Sequence, residues 1–220
     1  IDDGIYSDRK MRATEILILR HGQSEGNAHG RFGGQGPTPL TDKGRAQAEA
    51  TARALAREGG LTAIFASDLV RAVQTAEPIA RATGIELQRT AALRERSVGV
   101  FTGLTFAEAE TRFPEHYAAM MARAENACPP EGETATECSH RAITLVEDTI
   151  AGLESGRALF VSHAFAINLL LLHLCGMAHA THGRRVFFRT DNCGLHRLRR
   201  SEDGLWTIHA LNDRAHLVAI

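Results

Sequence analysis

LILRHGQSEGN (residues 17–27) sets Arg20 and His21 directly behind an apolar run and follows them with Gly22, Gln23, Ser24, Glu25, Gly26 and Asn27. One step further back, TEILILR (14–20) is short and rich in apolar and β-branched residues, the pattern of a strand buried on both faces. In an open α/β sheet the carboxyl ends of the strands are where ligands bind, so a guanidinium and an imidazole at this point suggest chemistry rather than packing.

Working outward, the Gly- and Pro-rich stretch 26–40 reads as a loop. TDKGRAQAEATARALAREGG (41–60) predicts a helix with Thr41 or Asp42 as N-cap and a stop at Gly59-Gly60. LTAIFAS (61–67) predicts a second strand, and DLVRAVQTAEPIARATG (68–84) a helix capped by Asp68 and closed by Gly84. Residues 86–93 predict a short third strand. Beyond them helical periods broken by Pro114 and Pro129-Pro130 read as a helical cap inserted over the site at about 96–132. Residues 133–156 predict an amphipathic helix, RALFVS (157–162) a buried strand, and the leucine-rich segment from 163 a buried helix. VFFRT (186–190), GLHRLRR (194–200) and LWTIHAL (205–211) read as strands paired in hairpins at one sheet edge, with HRLRR (196–200) as an exposed face. The alternation predicts an α/β three-layer sandwich: a mostly parallel central sheet, helices on both faces, and the cap. Residues 14–220 form a single domain in this reading, and 1–13 a disordered tail.

Composition narrows the function classes. The 220 residues are 44% hydrophobic, enough for one full core, and 25 Lys+Arg against 26 Asp+Glu leave no general basic field for nucleic acid or an anionic membrane. Cys128, Cys138, Cys175 and Cys193 lack CxxC spacing, so a reducing, cytoplasmic setting is expected. The first residues lack the apolar core of a secretory signal, and AFAINLLLLHLCGMA (164–178) is too short to span a bilayer. GGQG (33–36) is not followed by the Lys-Ser/Thr of a P-loop. His179 and His182 lack a partner cluster for a metal and read as a solvated turn.

Three predicted strand ends carry matching chemistry: Arg20 and His21; Ser67 and Asp68, with Arg71 a helical turn on; and Ser162 and His163. Guanidiniums bind phosphate through fixed pairs of donors. A histidine held neutral at its attacking nitrogen is a competent phosphoryl acceptor, which makes His21 the candidate nucleophile.

LILRHGQSEGN, PLTDKGRAQA (39–48), ASDLVRAVQTA (66–76), LRERSVGVFTG (93–103), PPEGET (129–134) and VSHA (161–164) occur in that order, and together they resemble the histidine phosphatase superfamily, also called phosphoglycerate mutase-like. The resemblance implies phosphorylation of His21, with Arg20, Arg71 and His163 around the phosphoryl group and Asn27 as a further donor. Glu95 matches the family's acid, which protonates the leaving oxygen and later takes a proton from water, although Glu108, Glu110 and Glu133 lie in or beside the cap. Arginines and imidazoles supply the positive charge, so neither metal nor other cofactor is expected.

The same resemblance separates mutase from phosphatase. Gly33 and Gln35 stand where the mutases carry Ser or Thr and Trp, Val98 precedes Gly99 in place of their Tyr, Thr105-Phe106 replace Asn-Lys, and Ala164-Phe165 replace Gly-Asn. Gln35 and Ala164 thus become candidate substrate-contacting positions of this chain. With polar holding groups lost, water should reach the phosphohistidine, which favours a phosphatase acting on small organic monoesters. A phosphoglycerate mutase, a fructose-2,6-bisphosphatase-like sugar phosphatase and a non-catalytic phosphate-binding protein are the alternatives. Phe101, Phe106, Phe113, Tyr117 and Phe165 are expected to make part of the leaving-group pocket apolar. The expected partner is a small phosphorylated molecule, with homodimerisation left open.

Overall fold

A computed structural model describes residues 14–122, 127–153, 155–177 and 186–218, so the readings of 1–13, His179 and His182 fall outside the described residues. Strands β1 (Thr14–Arg20), β2 (Leu61–Ser67), β3 (Leu87–Thr90), β4 (Gly156–Ser162), β5 (Leu195–Arg200) and β6 (Trp206–Asp213) form one mixed sheet in the order β3-β2-β4-β1-β5-β6. The first four pair in parallel, and β5 and β6 add antiparallel at one edge. The register sets Arg20 level with Ser162, so the residues that follow, His21 and His163, leave the sheet side by side.

Alternation along the central strands makes the three layers, since successive side chains point to opposite faces. Leu17 and Leu19 of β1 and Leu159 and Val161 of β4 share one core with Leu55 and Ile79. Ile16, Ile18, Ala158 and Phe160 face the other way, onto Val146, Ile150, Ile167 and Leu171. Beyond the single turn α1 (Glu25–Ala28), helices α2 (Asp42–Glu58) and α3 (Val70–Thr83) therefore cover the first face. The cap carries α4 (Phe106–Arg112) and α5 (Pro114–Met121), and α6 (Ala135–Gly152) and α7 (Ala164–Leu174) cover the second face. Thr41 caps α2 through Gly44 N–H, and Gly84 closes α3 in the left-handed conformation, as their sequence positions predict. Among the described residues no helix is long and apolar enough to cross a membrane.

Four expectations are corrected. Asp68 does not cap α3, whose N-cap is Leu69. Its carboxylate is bound at both oxygens by Arg94, each at 2.6 Å, a charge-assisted pair stronger than a cap bond. VFFRT is not a strand: it pairs with no strand of the sheet, and Phe188 N–H donates instead to Asn168 Oδ1 of α7 (2.9 Å). HRLRR is not an exposed face: His196 and Leu198 are fully buried, and Arg197 is paired with Glu58 at 2.7 and 2.9 Å. Phe101 does not line a pocket but is the buried centre of the cap, packed by Phe32, Phe113 and Tyr117, while Phe106 remains 49% exposed.

Candidate active site

His21 emerges from β1 with its N–H on Ser162 O (3.0 Å), and Cys193 N–H donates to Arg20 O (3.1 Å). The side chain is buried, with Nδ1 2.7 Å from Gly22 O. A carbonyl only accepts, so Nδ1 carries the proton and Nε2 keeps its lone pair. Arg71 Nε–H donates to that lone pair at 3.3 Å. Burial first, then the charges of Arg71 and Arg20, holds the His21 pKa well below the usual imidazole value, so the ring is neutral. The turn that presents Gly22 O sits against α2 so tightly that a Cβ on Gly22 would lie 2.5 Å from Gly44 O.

His163 is fully buried beside it, with ring centroids 5.0 Å apart and Nε2 2.8 Å from Ser67 Oγ. Burial, then the charge of Arg71, depresses its pKa strongly, and its Nδ1 has no hydrogen-bond partner among the described residues. Arg71 lies buried in the first turn of α3. Its guanidinium reaches Gly34 O (2.7 Å), Gly36 O (3.0 Å) and Thr38 Oγ1 (3.3 Å), so the loop after α1 is folded around this cation. Burial lowers its pKa to about 10, with Glu95 opposing, and the group stays charged at neutral pH. Arg20 donates from Nη1 to Thr190 O (2.6 Å), and its buried Nε has no partner among the described residues.

The Glu95 carboxylate accepts from Arg96 N–H (2.9 Å) and, at 3.2 Å each, from the N–H groups of Phe165 and Ala166. The carboxyl oxygens thereby satisfy orphan donors at the start of α7. The interaction of Glu95 with Arg20 and Arg71 opposes the lowering of both their pKa values by burial. The other acids weighed serve elsewhere. Glu108 caps α4 through Thr105 N–H (2.7 Å), Glu133 is paired with Arg141 (2.6 Å), and Glu110 is exposed. Gln35 joins the rim, donating from Nε2 to Glu95 O (3.1 Å) and accepting from Arg94 (3.4 Å). Ala164 opens α7 between His163 and the N–H groups that hold Glu95. Asn27 is exposed, and its Oδ1 accepts from Ser24 N–H (3.2 Å) and Asn192 Nδ2 (3.0 Å), so only its amide N–H groups are left for a ligand.

Sequence reasoning missed Thr190, Asn192, the Gly34 and Gly36 carbonyls and Arg141, all of which hold the site together. Backbone carbonyls leave no trace in residue identity. Ser67 was in view at its strand end but without its role as the partner of His163.

The family model of the histidine phosphatase superfamily (branch 1) matches residues 16–214. A curated relative, "Probable phosphoglycerate mutase GpmB" of Yersinia pestis (strain Pestoides F), is 34% identical over 208 residues, 92% of this chain and 94% of its own length. Among solved structures, a mycobacterial glucosyl-3-phosphoglycerate phosphatase in complex with VO3 superposes with a TM-score of 0.79 at 27% identity, over 91% of this chain and 99% of that one. The alpha-ribazole phosphatase from Shigella flexneri gives 0.80 at 25% identity, over 91% and 97%. Because the family match runs from the first strand through the last and takes in each strand end that meets at His21, this chain belongs to the histidine phosphatase superfamily.

Proposed function

We propose that this chain is a phosphatase that hydrolyses small organic phosphate monoesters through a phosphohistidine on His21. The observation that carries the reading is the fixed tautomer: Nδ1–H bonded to Gly22 O leaves Nε2 unprotonated in a pocket bounded by Arg71, Arg20 and His163. In the first step the Nε2 lone pair forms a bond to phosphorus, the phosphorus–oxygen bond to the leaving group breaks, and Glu95 delivers a proton to that oxygen. In the second step water attacks phosphorus, its proton goes to Glu95, and the phosphorus–nitrogen bond breaks to free phosphate. The guanidiniums carry the charge that develops on the equatorial oxygens, so no step calls on a metal. Arg71 Nε–H, now on His21, turns to the incoming phosphoryl group, which frees the nucleophile.

The similarity to solved phosphatases supports hydrolysis. The 34% identity to a relative named as a phosphoglycerate mutase supports a second reading, phosphoryl transfer between positions of a phosphoglycerate. Against it stand Gly33, Gln35, Val98 and Ala164-Phe165, where the mutases carry substrate-holding groups. Phosphate release from p-nitrophenyl phosphate in EDTA, with acid-labile, base-stable labelling of the protein, is the test. Both are expected in the unaltered chain and neither in His21→Ala. Conversion of 3-phosphoglycerate to 2-phosphoglycerate faster than phosphate release, with a bisphosphate primer, would establish the mutase instead.

A further inference from the structure

A turn from late in the chain closes over the end of β1. Cys193 N–H donates to Arg20 O (3.1 Å), Asn192 Nδ2 to His21 O (3.1 Å), and Arg20 N–H to Gly194 O (3.2 Å). Thr190, just before this turn, is buried and offers its carbonyl to Arg20 Nη1 at 2.6 Å. That bond is the one side-chain anchor recorded for Arg20 among the described residues, so the direction of the Thr190 carbonyl sets where the guanidinium lies.

The Thr190 hydroxyl lies between two groups. It is 3.1 Å from His196 Nε2 and 3.4 Å from Phe188 O. His196 is fully buried on β5, and its Nδ1 accepts the N–H of Asn212 on β6 at 3.2 Å. Accepting there forces the imidazole proton onto Nε2, so the ring donates to Thr190 Oγ1 and the hydroxyl donates onward to Phe188 O. One nitrogen of this core histidine thus ties β5 to β6, and the other ties the sheet to the segment that holds Arg20. A leucine at this position would fill the core without the cost of desolvating an imidazole. Burial pushes His196 down to about 4, which keeps it neutral and donating near neutral pH.

We propose that His196 is a positioning residue for the phosphoryl-binding group: through Thr190 it fixes the carbonyl that orients Arg20. The inference rests on the reading of Arg20 as a phosphate ligand.

Orthovanadate, which adopts the geometry of a transferring phosphoryl group, is the probe, with thermal melting measured alongside. In His196→Gln the side-chain amide nitrogen takes the place of Nε2 and still donates to Thr190. In His196→Asn the shorter amide still meets Asn212 N–H but cannot reach Thr190. The loss of one neutral hydrogen bond should weaken vanadate binding roughly threefold to tenfold in His196→Asn, and His196→Gln should restore most of it. Thr190→Val, which keeps the carbonyl and removes the hydroxyl, should match His196→Asn and serves if that variant folds poorly. In an Arg20→Ala background His196→Asn should have no further effect on vanadate. Equal weakening in the Asn and Gln variants that tracks their loss of melting temperature would overturn the proposal. So would an undiminished effect of His196→Asn when Arg20 is absent, or a silent His196→Asn while Arg20→Ala binds poorly. If Arg20→Ala itself binds vanadate normally, the phosphate-ligand reading of Arg20 falls and takes the proposal with it.

Discussion

In the proposed mechanism His21 acts through its tautomer rather than its charge. Two guanidiniums beside it disfavour a protonated ring, and Gly22 O selects the nitrogen that keeps a lone pair. That carbonyl is placed by the close approach of Gly22 to Gly44, with Gly22 N–H on Thr75 Oγ1 (3.0 Å). Gly22→Ala therefore pushes the turn off α2 and takes the acceptor from His21 Nδ1. The expected cost is about 1–3 kcal/mol of stability by overpacking and a drop of about tenfold or more in the rate of phosphohistidine formation. Urea unfolding and the pre-steady-state burst with p-nitrophenyl phosphate measure the two effects separately. A normal burst would show that Gly22 O does not set the tautomer.

At the scale of elements, Glu95 stands on a segment without regular structure, between the turn 91–93 and the cap; α7 holds its carboxyl group and α6 its backbone. Arg141 of α6 reaches Glu95 O (3.0 Å), Ala92 O (2.8 Å) and Glu133 Oε1 (2.6 Å), and the same Glu133 oxygen accepts Ser97 N–H (2.9 Å). One ion pair thus staples both sides of the acid. Replacing Arg141 by Met strands those acceptors, at a cost of about 2 kcal/mol. It also loosens the carboxyl group that, in the proposed mechanism, protonates the leaving oxygen. Alkyl phosphates need that proton more than p-nitrophenyl phosphate does. Arg141→Met should therefore slow a simple alkyl phosphate by about tenfold or more, within the usual range for general acid catalysis, and p-nitrophenyl phosphate much less. Equal slowing of both substrates would mean that the staple acts on the whole pocket and not on the acid.

For the molecule as a whole, three buried imidazoles make stability depend on pH. His21, His163 and His196 all have pKa values below the ordinary 6.5, with desolvation as the leading cause, and His196 falls to about 4. Below pH 6.5 the unfolded chain binds protons that the folded chain refuses, so the slope of stability with pH is positive there. Stability is fully present above about pH 6.5 and is lost as the pH falls toward the folded values. Each group removes at most about 1.4 kcal/mol per pH unit, and His196 alone accounts for ~3 kcal/mol by pH 4. Urea midpoints should fall steadily from pH 7 to pH 5, with less of a fall in His196→Gln. A flat profile over that window would mean that these rings are charged in the folded protein.

The order of strands and helices was legible because burial on both faces writes an apolar run, and one covered face writes a helical period. Thr41 and Gly84 mark helix ends by their own chemistry. That Arg20, His21, Arg71 and His163 come together was legible as well, since they stand at or near strand ends, whereas Glu95 was pointed to only by the family resemblance. What these signals omit is pairing at a distance. Whether VFFRT becomes a strand depends on where its N–H groups find acceptors, and Phe188 finds the Asn168 side chain, 20 residues away. Asp68 is taken from its helix by Arg94, 26 residues away. His196 looked like part of a basic surface run until β5 was set between β1 and β6, where alternation turned it inward. The local sequence determined which groups the chain has and which element each stands on, because those properties act over a few residues. The tertiary structure alone decided what holds the Gly22 turn that sets the His21 tautomer, which carbonyls hold Arg20 and Arg71, and which helices hold Glu95, because those contacts join residues far apart in the chain.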